Sequence, residues 1–274
     1  MKQNGSLRAK KSLGQHFLTD PHYLTAIADA ARIAKGDRVI EIGPGRGHLT
    51  RELLARAQAV LAIELDEQLI SPLKEEFPGA VNLEIIHADA LTYRYAELEG
   101  TWKVVANLPY YISTPLIRRL IDHRSQFSTL TLMLQREVAQ RIVSPPGSKD
   151  YGFLSVLVQL YAEAAMLFTV PAAAFSPRPE VDSAVIALSI RSRPCATIGD
   201  ENFFFRLVKA AFSQRRKTLR NALRPIGISH DTLEELEQTT GIDLRRRAET
   251  LSIDEFSLLS NHLQSAERIN RTEP

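Results

Sequence analysis

The tetrapeptide Asn107-Leu-Pro-Tyr110 combines residue types that could prepare an adenine amine for attack on an electrophile. This amine is a poor nucleophile because its lone pair is delocalised into the ring. An amide oxygen and a backbone carbonyl can accept hydrogen bonds from its two N–H groups, which localises the lone pair. Pro109 stiffens the turn because it lacks an N–H, and Tyr110 offers a face on which a base can stack. The alternative interpretation of Tyr110 is a core aromatic residue.

Polar side chains at the ends of three predicted strands indicate where a ligand would bind. Glu64 lies 19 residues after Gly45, which is the usual place for a carboxylate that binds both hydroxyls of a ribose. Asp89 ends the next predicted strand, where it could accept a hydrogen bond from an adenine amine, and Asn107 ends the one after. Each alone could equally be a solvated strand-end residue. Their common position at strand ends favours a ligand site.

The segment from Val39 to Thr50 predicts a strand, a glycine turn and a helix in succession, the start of a nucleotide-binding βαβ unit. Its glycines allow a sharp turn and a close approach of the backbone to a ligand. The spacing is G-x-G-x-G, and His48 stands where a dinucleotide fingerprint has its third glycine. A Rossmann oxidoreductase that uses NAD is therefore disfavoured, also because the chain shows no obvious hydride-handling site.

Further periodic segments extend this pattern into an α/β fold. The predicted strands are 39–42, 59–63, 83–86, 103–106, 130–134, 165–170 and 183–190, and C-terminal helices are predicted at 202–212, 217–223, 231–240 and 253–264. Strands that alternate with helices predict a Rossmann-like parallel sheet with a site at the carboxyl ends of its strands. Residues 189–200 lose periodicity, so we predict a linker there. It would join a sheet domain at 1–190 to a small all-α domain at 200–274.

Composition excludes several classes of protein. At 44% hydrophobic and 24% charged residues, the 274-residue chain has the composition of an ordinary globular protein. Cys195 is the only cysteine, which excludes internal disulfides and thiolate zinc sites. No N-terminal apolar segment follows a basic start, and no apolar run approaches the length of a membrane span. We therefore expect a cytoplasmic protein with no membrane partner, and the sequence indicates no obligate interface, so we expect a monomer.

A basic block predicts contact with nucleic acid. The net charge is only +2, so any affinity for polyanions must come from local clustering. Between Asn202 and His230 the chain has seven basic residues and no acidic one, which a phosphate-binding surface explains better than a solvated helix face. Arg245-Arg-Arg247 has acidic neighbours and is a more ordinary solvated run. The block consists of Arg206, Lys209, Arg215, Arg216, Lys217, Arg220 and Arg224. We assign RNA binding to Arg215, Arg216, Lys217 and Arg220.

Seven motifs together resemble the ribosomal RNA adenine dimethyltransferase family, and within it the bacterial enzymes that act on small-subunit RNA. They extend from residue 11 to about residue 224, so the resemblance covers most of the chain. The motifs are Lys11-Ser-Leu-Gly-Gln-His-Phe-Leu18, Glu41-Ile-Gly-Pro-Gly45, Asn107-Leu-Pro-Tyr110, Ile112-Ser-Thr114, Phe175-Ser-Pro177, Val181-Asp-Ser183 and Gln214-Arg-Arg-Lys-Thr218. Leu13, Phe17 and Leu18 of the first motif are too apolar to remain in water, so we expect this arm to fold back over the domain.

The resemblance implies a function for both predicted domains. Domain 1–190 would bind S-adenosylmethionine as methyl donor, without a metal, and transfer two methyl groups to each of two adjacent adenines. Domain 200–274 would recognise the partner, small-subunit ribosomal RNA, alone or in an assembling subunit. Asn107 and Tyr110 would hold the target base, with Phe175 as its second stacking face. The implied donor-binding residues are His16, Leu18, Gly43, Glu64, Asp89 and Asn107.

Two positions depart from the pattern of the family. His16 stands where the commonest form of the arm has asparagine, and Tyr111 follows the tetrapeptide where asparagine is frequent. A histidine can still donate from one ring nitrogen and accept at the other. Two other functions stay open at this point. One is a large-subunit RNA methyltransferase of the antibiotic-resistance branch, and the other is a ribosome-assembly or RNA-binding factor in which catalysis is secondary.

Overall fold

The chain forms two compact units in the computed structural model, which describes residues 10, 14–214 and 216–272. The first unit consists of the described residues up to Ala139 together with Glu163–Ile190. The second consists of Gln140–Ala162 and the described residues from Arg191 onward. The first unit is built around a sheet and the second around helices. None of the described helices has an apolar stretch long enough to cross a membrane.

The first unit contains the predicted alternation of strands and helices. Its strands are β1 (Phe17–Leu18), β2 (Arg38–Ile42), β3 (Ala59–Glu64), β4 (Leu83–His87), β5 (Trp102–Asn107), β6 (Phe127–Gln135), β7 (Ala162–Val170), β8 (Phe175–Ser176) and β9 (Ser183–Ile190). Its helices are α1 (Pro21–Ala30), α2 (His48–Leu54), α3 (Glu67–Glu76) and α4 (Ser113–Asp122), and α5 (Arg136–Val143) continues into the second unit. Every predicted strand is present, and the largest difference, at the starts of β6 and β7, is three residues.

The larger sheet is mixed, with the strand order β4-β3-β2-β5-β6-β9-β7. Strands β2 to β6 pair in parallel, whereas β9 is antiparallel to β6. The Rossmann-like α/β fold is thus confirmed, but the prediction of a parallel sheet is wrong at β9. Only short elements connect β7 to β9, and they cannot provide the long crossover that a parallel connection needs.

The chain reverses its path across the sheet between β2 and β5. It passes outward from β2 through β3 to β4 and then returns to β5 on the other side of β2. At such a switch point the connections after the two strands diverge and leave a crevice at their carboxyl ends. Ile42 and Ala106 pair across this point. The glycine turn after β2 and Asn107 at the end of β5 therefore lie on its two sides.

Burial and capping explain why these segments adopt their structures. Val39 and Ile40 of the central strand β2 have 0% exposure, as expected where helices cover both faces of a sheet. Helix α1 begins as predicted, because the Asp20 carboxylate accepts the N–H of His22 and Pro21 occupies the first turn. The local signals in the sequence therefore set this helix start correctly.

The second unit is helical. Its helices are α6 (Phe153–Gln159), α7 (Glu201–Ser213), α8 (Leu219–Leu223), α9 (His230–Thr240) and α10 (Ile253–Thr272). The helices predicted at 202–212 and 231–240 are present to within one residue. The helix predicted at 217–223 begins only at Leu219, because Thr218 has extended backbone angles (φ −67°, ψ 156°). Helix α10 continues past the predicted end at residue 264.

Residues 140–162 lie within this helical unit, whereas they were predicted to belong to the sheet domain at 1–190. Tyr151 packs edge-on against Phe212 with ring centroids 5.8 Å apart, and Phe153 packs edge-on against Phe205 at 6.0 Å. Both partners belong to α7. Aromatic contacts between segments so distant in sequence leave no local pattern. The sequence therefore indicated a domain boundary at residues 190–200 but gave no sign that residues 140–162 belong to the helical unit.

Candidate active site

A cleft at the switch point, with an empty volume of about 1070 Å³, brings most of the predicted site residues together. Its walls come from the N-terminal arm, the glycine turn, the ends of β3 and β5, and the turn after β4. The predicted residues on its walls are His16, Leu18, Gly43, Glu64, Asp89, Asn107 and Tyr110. The first and last of these are far apart in sequence, so the fold itself assembles the site.

The glycine turn brings bare backbone to the cleft. Gly43 and Gly45 have φ angles of +70° and +58°, a region that side chains with a Cβ rarely adopt. A Cβ on Gly45 would lie 3.0 Å from the ring of Phe17. Glycine at this position therefore allows the arm to pack directly on the turn, and only backbone atoms of Gly43 and Gly45 face the cleft there.

Glu64 ends β3, and backbone amides fix its carboxylate. Its Oε2 accepts the N–H of Gly45 at 3.0 Å, and its Oε1 accepts the N–H of Asp66 at 2.8 Å. The residue is only 5% exposed. Burial raises the pKa of Glu64 above its ordinary value, although these two amides act in the opposite direction. Each oxygen retains a second lone pair that can accept a hydrogen bond from a ligand hydroxyl.

Glu41 is a second buried carboxyl group on the cleft wall, and no role of its own was predicted for it from the sequence. It is 1% exposed, and its Oε2 has no hydrogen-bond partner among the described residues. Burial, reinforced by the charge of Glu64, raises the pKa of Glu41 to about 8, while Thr50 acts in the opposite direction. The available signal was a carboxylate inside the apolar run of β2.

Asp89 lies in the turn after β4. Its Oδ1 accepts the N–H of Leu91 at 2.8 Å. Just beyond this turn, the buried Tyr95 donates its hydroxyl to the carbonyl of Ala90 at 3.0 Å. Burial raises the pKa of Tyr95 above its ordinary value. Tyr95 therefore supports the turn that carries Asp89, a role that no sequence motif indicated.

The N-terminal arm is fixed against the first unit by a strand pair and an ionic contact. Strand β1 pairs antiparallel with β8, and Phe17 and Leu18 are buried as predicted. Leu13, for which burial was also predicted, lies outside the described residues. Lys10 Nζ lies 2.6 Å from Asp66 Oδ1. Burial alone would raise the pKa of Asp66, but hydrogen bonds from Lys10 and Gln15 outweigh this effect and lower it.

His16 connects the arm to the end of β5. Its Nδ1 lies 2.8 Å from the carbonyl oxygen of Pro177. A carbonyl can only accept, so Nδ1 carries the hydrogen and Nε2 of the neutral ring is an acceptor. The backbone carbonyl of His16 accepts from Asn107 Nδ2 at 3.2 Å. Because this bond uses the amide nitrogen of Asn107, the amide oxygen of Asn107 is left to accept from a ligand.

Tyr110 forms part of the cleft wall and is not a core residue. Its ring stacks against His16, with centroids 5.8 Å apart and an interplanar angle of 25°. Its hydroxyl and the Ser183 hydroxyl lie 2.7 Å apart. Burial raises the pKa of Tyr110, although the bond to Ser183 acts in the opposite direction. The ring is thus held in one orientation beside Asn107.

The sequence as a whole identifies the family of this protein. The family model for ribosomal RNA adenine dimethylases matches residues 6–265. The chain belongs to the ribosomal RNA adenine dimethylase family. Among curated relatives of this dimethylase, the ribosomal RNA small subunit methyltransferase A of Moorella thermoacetica is 48% identical over 266 residues, covering 93% of this chain and 92% of the relative. The protein of the same name from Geobacter metallireducens is 45% identical over 266 residues, covering 94% and 97%.

Solved structures of related enzymes agree with the fold of the dimethylase. A dimethyladenosine transferase from Plasmodium falciparum superposes with a TM-score of 0.73 at 28% identity, covering 92% of this chain and 98% of the other. The 23S rRNA methyltransferase ErmE superposes with a TM-score of 0.71 at 26% identity, covering 90% and 99%. The likeness therefore extends over nearly the whole chain.

Phe175 is the one residue of the predicted catalytic set that the structure does not place in the cleft of the dimethylase. It lies in β8, pairs with Leu18 of the arm and is 5% exposed. It belongs to the same hydrophobic core as Val105 and Met133 of the central strands. Its side chain therefore anchors the arm, and in this structure it does not line the cleft.

The predicted RNA-binding residues of the dimethylase divide into two groups. Arg216 and Lys217 are exposed between α7 and α8. Arg220 is instead largely covered and ion-paired with Glu237 of α9, a contact that sequence spacing does not reveal. Arg215 lies outside the described residues. Among the described residues, no group of three or more histidine, cysteine or acidic side chains could hold a metal ion.

Proposed function

We propose that this protein transfers methyl groups from S-adenosylmethionine to the exocyclic amines of two adjacent adenines in small-subunit ribosomal RNA. The observation that carries the proposal is the single cleft that contains all six predicted donor positions together with Tyr110. The family match and the names of the curated relatives support the same reaction. We further propose that it acts in the cytoplasm during assembly of the small subunit.

The cleft fits the proposed donor. Glu64 would accept both ribose hydroxyls, because backbone amides already fix its carboxylate and each oxygen has a lone pair to spare. Asp89 would accept the adenine amine of the donor from the turn after β4. The bare backbone of Gly43 and Gly45 would allow the donor to lie close to the sheet. His16 and Leu18 would close this end of the cleft from the arm.

When bound, S-adenosylmethionine supplies a sulfonium methyl group that is already a strong electrophile. The task of the protein is therefore alignment, with the reacting atoms about 3–3.5 Å apart before transfer. Asn107 would accept a hydrogen bond from one amine N–H at its free amide oxygen. Leu108 donates its own N–H to the carbonyl of Met133 at 3.0 Å, which fixes the residue whose carbonyl would accept a hydrogen bond from the second amine N–H.

The target adenine would stack on Tyr110 after leaving its place in the RNA. Extrusion costs a few kcal/mol, and stacking on an aromatic side chain offsets about 1–3 kcal/mol. The bond to Ser183 and the contact with His16 hold the ring ready for this role. No general base is required, because the amine becomes acidic only once it is methylated. Asn107 therefore positions and polarises the amine and does not remove its proton.

Two alternatives differ in their support. A large-subunit enzyme is favoured only by the likeness to ErmE at 26% identity, whereas the small-subunit relatives reach 45–48%. A ribosome-assembly factor with secondary catalysis would bind RNA in the same way. A variant that impairs only the transfer step is therefore needed to distinguish such a factor from an enzyme. In an enzyme, Asn107→Ala should strongly slow methyl transfer while RNA affinity survives.

Transfer of tritiated methyl groups to unmodified small and large ribosomal particles, followed by mapping of the modified bases, tests the proposal. We expect two adjacent dimethylated adenines in the small-subunit RNA and none in the large. Asn107→Ala should lower the rate roughly 100-fold because the amine loses its alignment. Asn82→Ala is the matched control, since Asn82 also donates its amide to backbone carbonyls but lies outside the cleft. Label in the large particle, or full activity of Asn107→Ala, would contradict the proposal.

A further inference from the structure

Tyr111 is an exposed aromatic residue on the wall of the cleft that the reaction described above does not use. It belongs to the one-turn 3₁₀ helix Tyr110–Ile112 and lines the same cleft as Tyr110. Its exposed fraction is 54%. Among the described residues that are large, hydrophobic and exposed, it is the aromatic one. Its hydroxyl has no hydrogen-bond partner among the described residues. Neither burial nor a polar contact of the hydroxyl therefore explains a tyrosine here.

The arm meets this ring at one edge. Gly14 has a φ of +55°, and a Cβ at that position would lie 3.2 Å from Cδ1 of Tyr111 and 3.6 Å from Cε1. Glycine therefore lets the arm backbone pass close to the Cδ1–Cε1 edge of the ring. An exposed aromatic ring whose neighbour lies at its edge offers a face on which a planar group can stack.

The two consecutive tyrosines differ in how they are held. Tyr110 is tied by its hydroxyl to Ser183 and by its ring to His16. Tyr111 forms no hydrogen bond or ring contact with the residues that the structure describes, and it stays exposed. Successive residues of a 3₁₀ helix are about 120° apart around its axis, so the two side chains leave the turn in different directions. One cleft thus presents two aromatic rings, one as a wall and one at its exposed margin.

We propose that Tyr111 is the stacking platform for the nucleotide next to the adenine being methylated. This inference rests on the proposed function, in which the target adenine leaves its stack and lies on Tyr110. Extrusion deprives the neighbouring base of a stacking partner, and an aromatic side chain can replace that partner whatever the base. In a pair of adjacent target adenines, the platform would hold the second adenine beside the cleft while the first is modified.

A binding cycle between protein and RNA tests this assignment. Small ribosomal particles are reconstituted with intact RNA or with RNA in which an abasic site replaces one of the two adenines, each adenine in turn. Binding is measured in the presence of S-adenosylhomocysteine, so that no transfer occurs. Tyr111→Ala should weaken binding to intact particles about tenfold, as expected for one lost stacking contact. It should have almost no further effect on at least one kind of abasic particle, because the two changes remove the same interaction.

Three controls separate this role from a structural one. Tyr111→Phe keeps the ring and should bind like the wild type, and Leu167→Ala removes an exposed apolar side chain on β7, outside the cleft, and should change nothing. Calorimetry with S-adenosylmethionine reports whether the arm has loosened. An equal loss on intact and both abasic particles, a weaker donor affinity that accounts for the loss, or no loss at all would overturn the assignment. Failure of the proposed function would differ, since the wild type would then methylate no intact particle.

Discussion

Two buried carboxyl groups, Glu41 and Glu64, share the cleft wall, and their surroundings make them different. Backbone amides hold both oxygens of Glu64, whereas Glu41 Oε2 has no partner among the described residues. Burial in the middle of β2 raises the pKa of Glu41 to about 8, and the charge of Glu64 adds to this. Near neutral pH the folded protein therefore holds a proton on Glu41 that a solvated glutamate would have lost.

The titration of Glu41 leads to a testable dependence of stability on pH. Its pKa rises from an ordinary 4.5 to about 8 on folding. Between these values the folded chain binds more protons than the unfolded chain, so the free energy of unfolding falls as pH rises. The contribution of one such group is about 1.4 kcal/mol per pH unit. The free energy of unfolding is measured in urea between about pH 5 and about pH 8. In this range it should fall less steeply with pH for Glu41→Gln than for the wild type.

The comparison needs a variant that removes a carboxylate without changing a buried group. Glu75→Gln serves, because Glu75 is exposed on α3, and its unfolding profile should parallel that of the wild type. If Glu41→Gln also gave a parallel profile, Glu41 would have the same pKa in the folded and unfolded chains. That result would exclude a proton held on Glu41 in the folded protein.

At the scale of elements, the arm is held in place by residues that are distant from it in sequence. Strand β1 has only two residues, and its partner β8 lies near residue 176. Lys10 and Gln15 add contacts to Asp66, two residues beyond Glu64. These two residues therefore hold the start of the arm close to the end of β3, and the arm contributes His16 and Leu18 to the proposed donor site.

Loss of the contact between Lys10 and Asp66 should therefore loosen the arm and weaken donor binding. A partly exposed ion pair contributes up to about 1 kcal/mol, so Lys10→Met should raise the Kd for S-adenosylmethionine about fivefold. Hydrogen exchange at the backbone amides of β1 should become faster, while exchange in β2 stays unchanged. Arg94→Met is the control, since it breaks an exposed pair with Glu97. Unchanged exchange at β1 would show that the strand pair alone holds the arm.

The elements also show what could be predicted from the sequence. Central strands such as β2 were found because strands that are covered on both faces are continuously apolar, and α1 was found because its cap is local. The polar strand ends Glu64, Asp89 and Asn107 were correctly expected at one edge. The burial of Phe175 could not be foreseen, because it depends on pairing with a strand nearly 160 residues earlier. Contact between residues 140–162 and α7 is equally nonlocal.

At the scale of the whole molecule, chemistry and phosphate binding are assigned to different units. The cleft lies in the first unit, whereas Arg216 and Lys217 belong to the second. The net charge of +2 gives little general attraction to RNA. Local positive charge in the second unit should therefore supply most of the salt-dependent affinity, and its removal should leave donor binding in the first unit unchanged.

This division predicts a specific change in the dependence of RNA binding on salt. Each phosphate contact contributes about 0.7–0.9 to the slope of log K against log salt concentration. Arg216→Ala with Lys217→Ala should therefore reduce the slope by about 1.4–1.8, with calorimetric affinity for S-adenosylmethionine unchanged. Arg245→Ala is the control, because this exposed guanidinium is already paired with Asp243 at 3.0 Å. If Arg216→Ala with Lys217→Ala left the slope as unaltered as the control does, the phosphate contacts would lie elsewhere. Exposed charges that contact phosphate must release counterions when RNA binds.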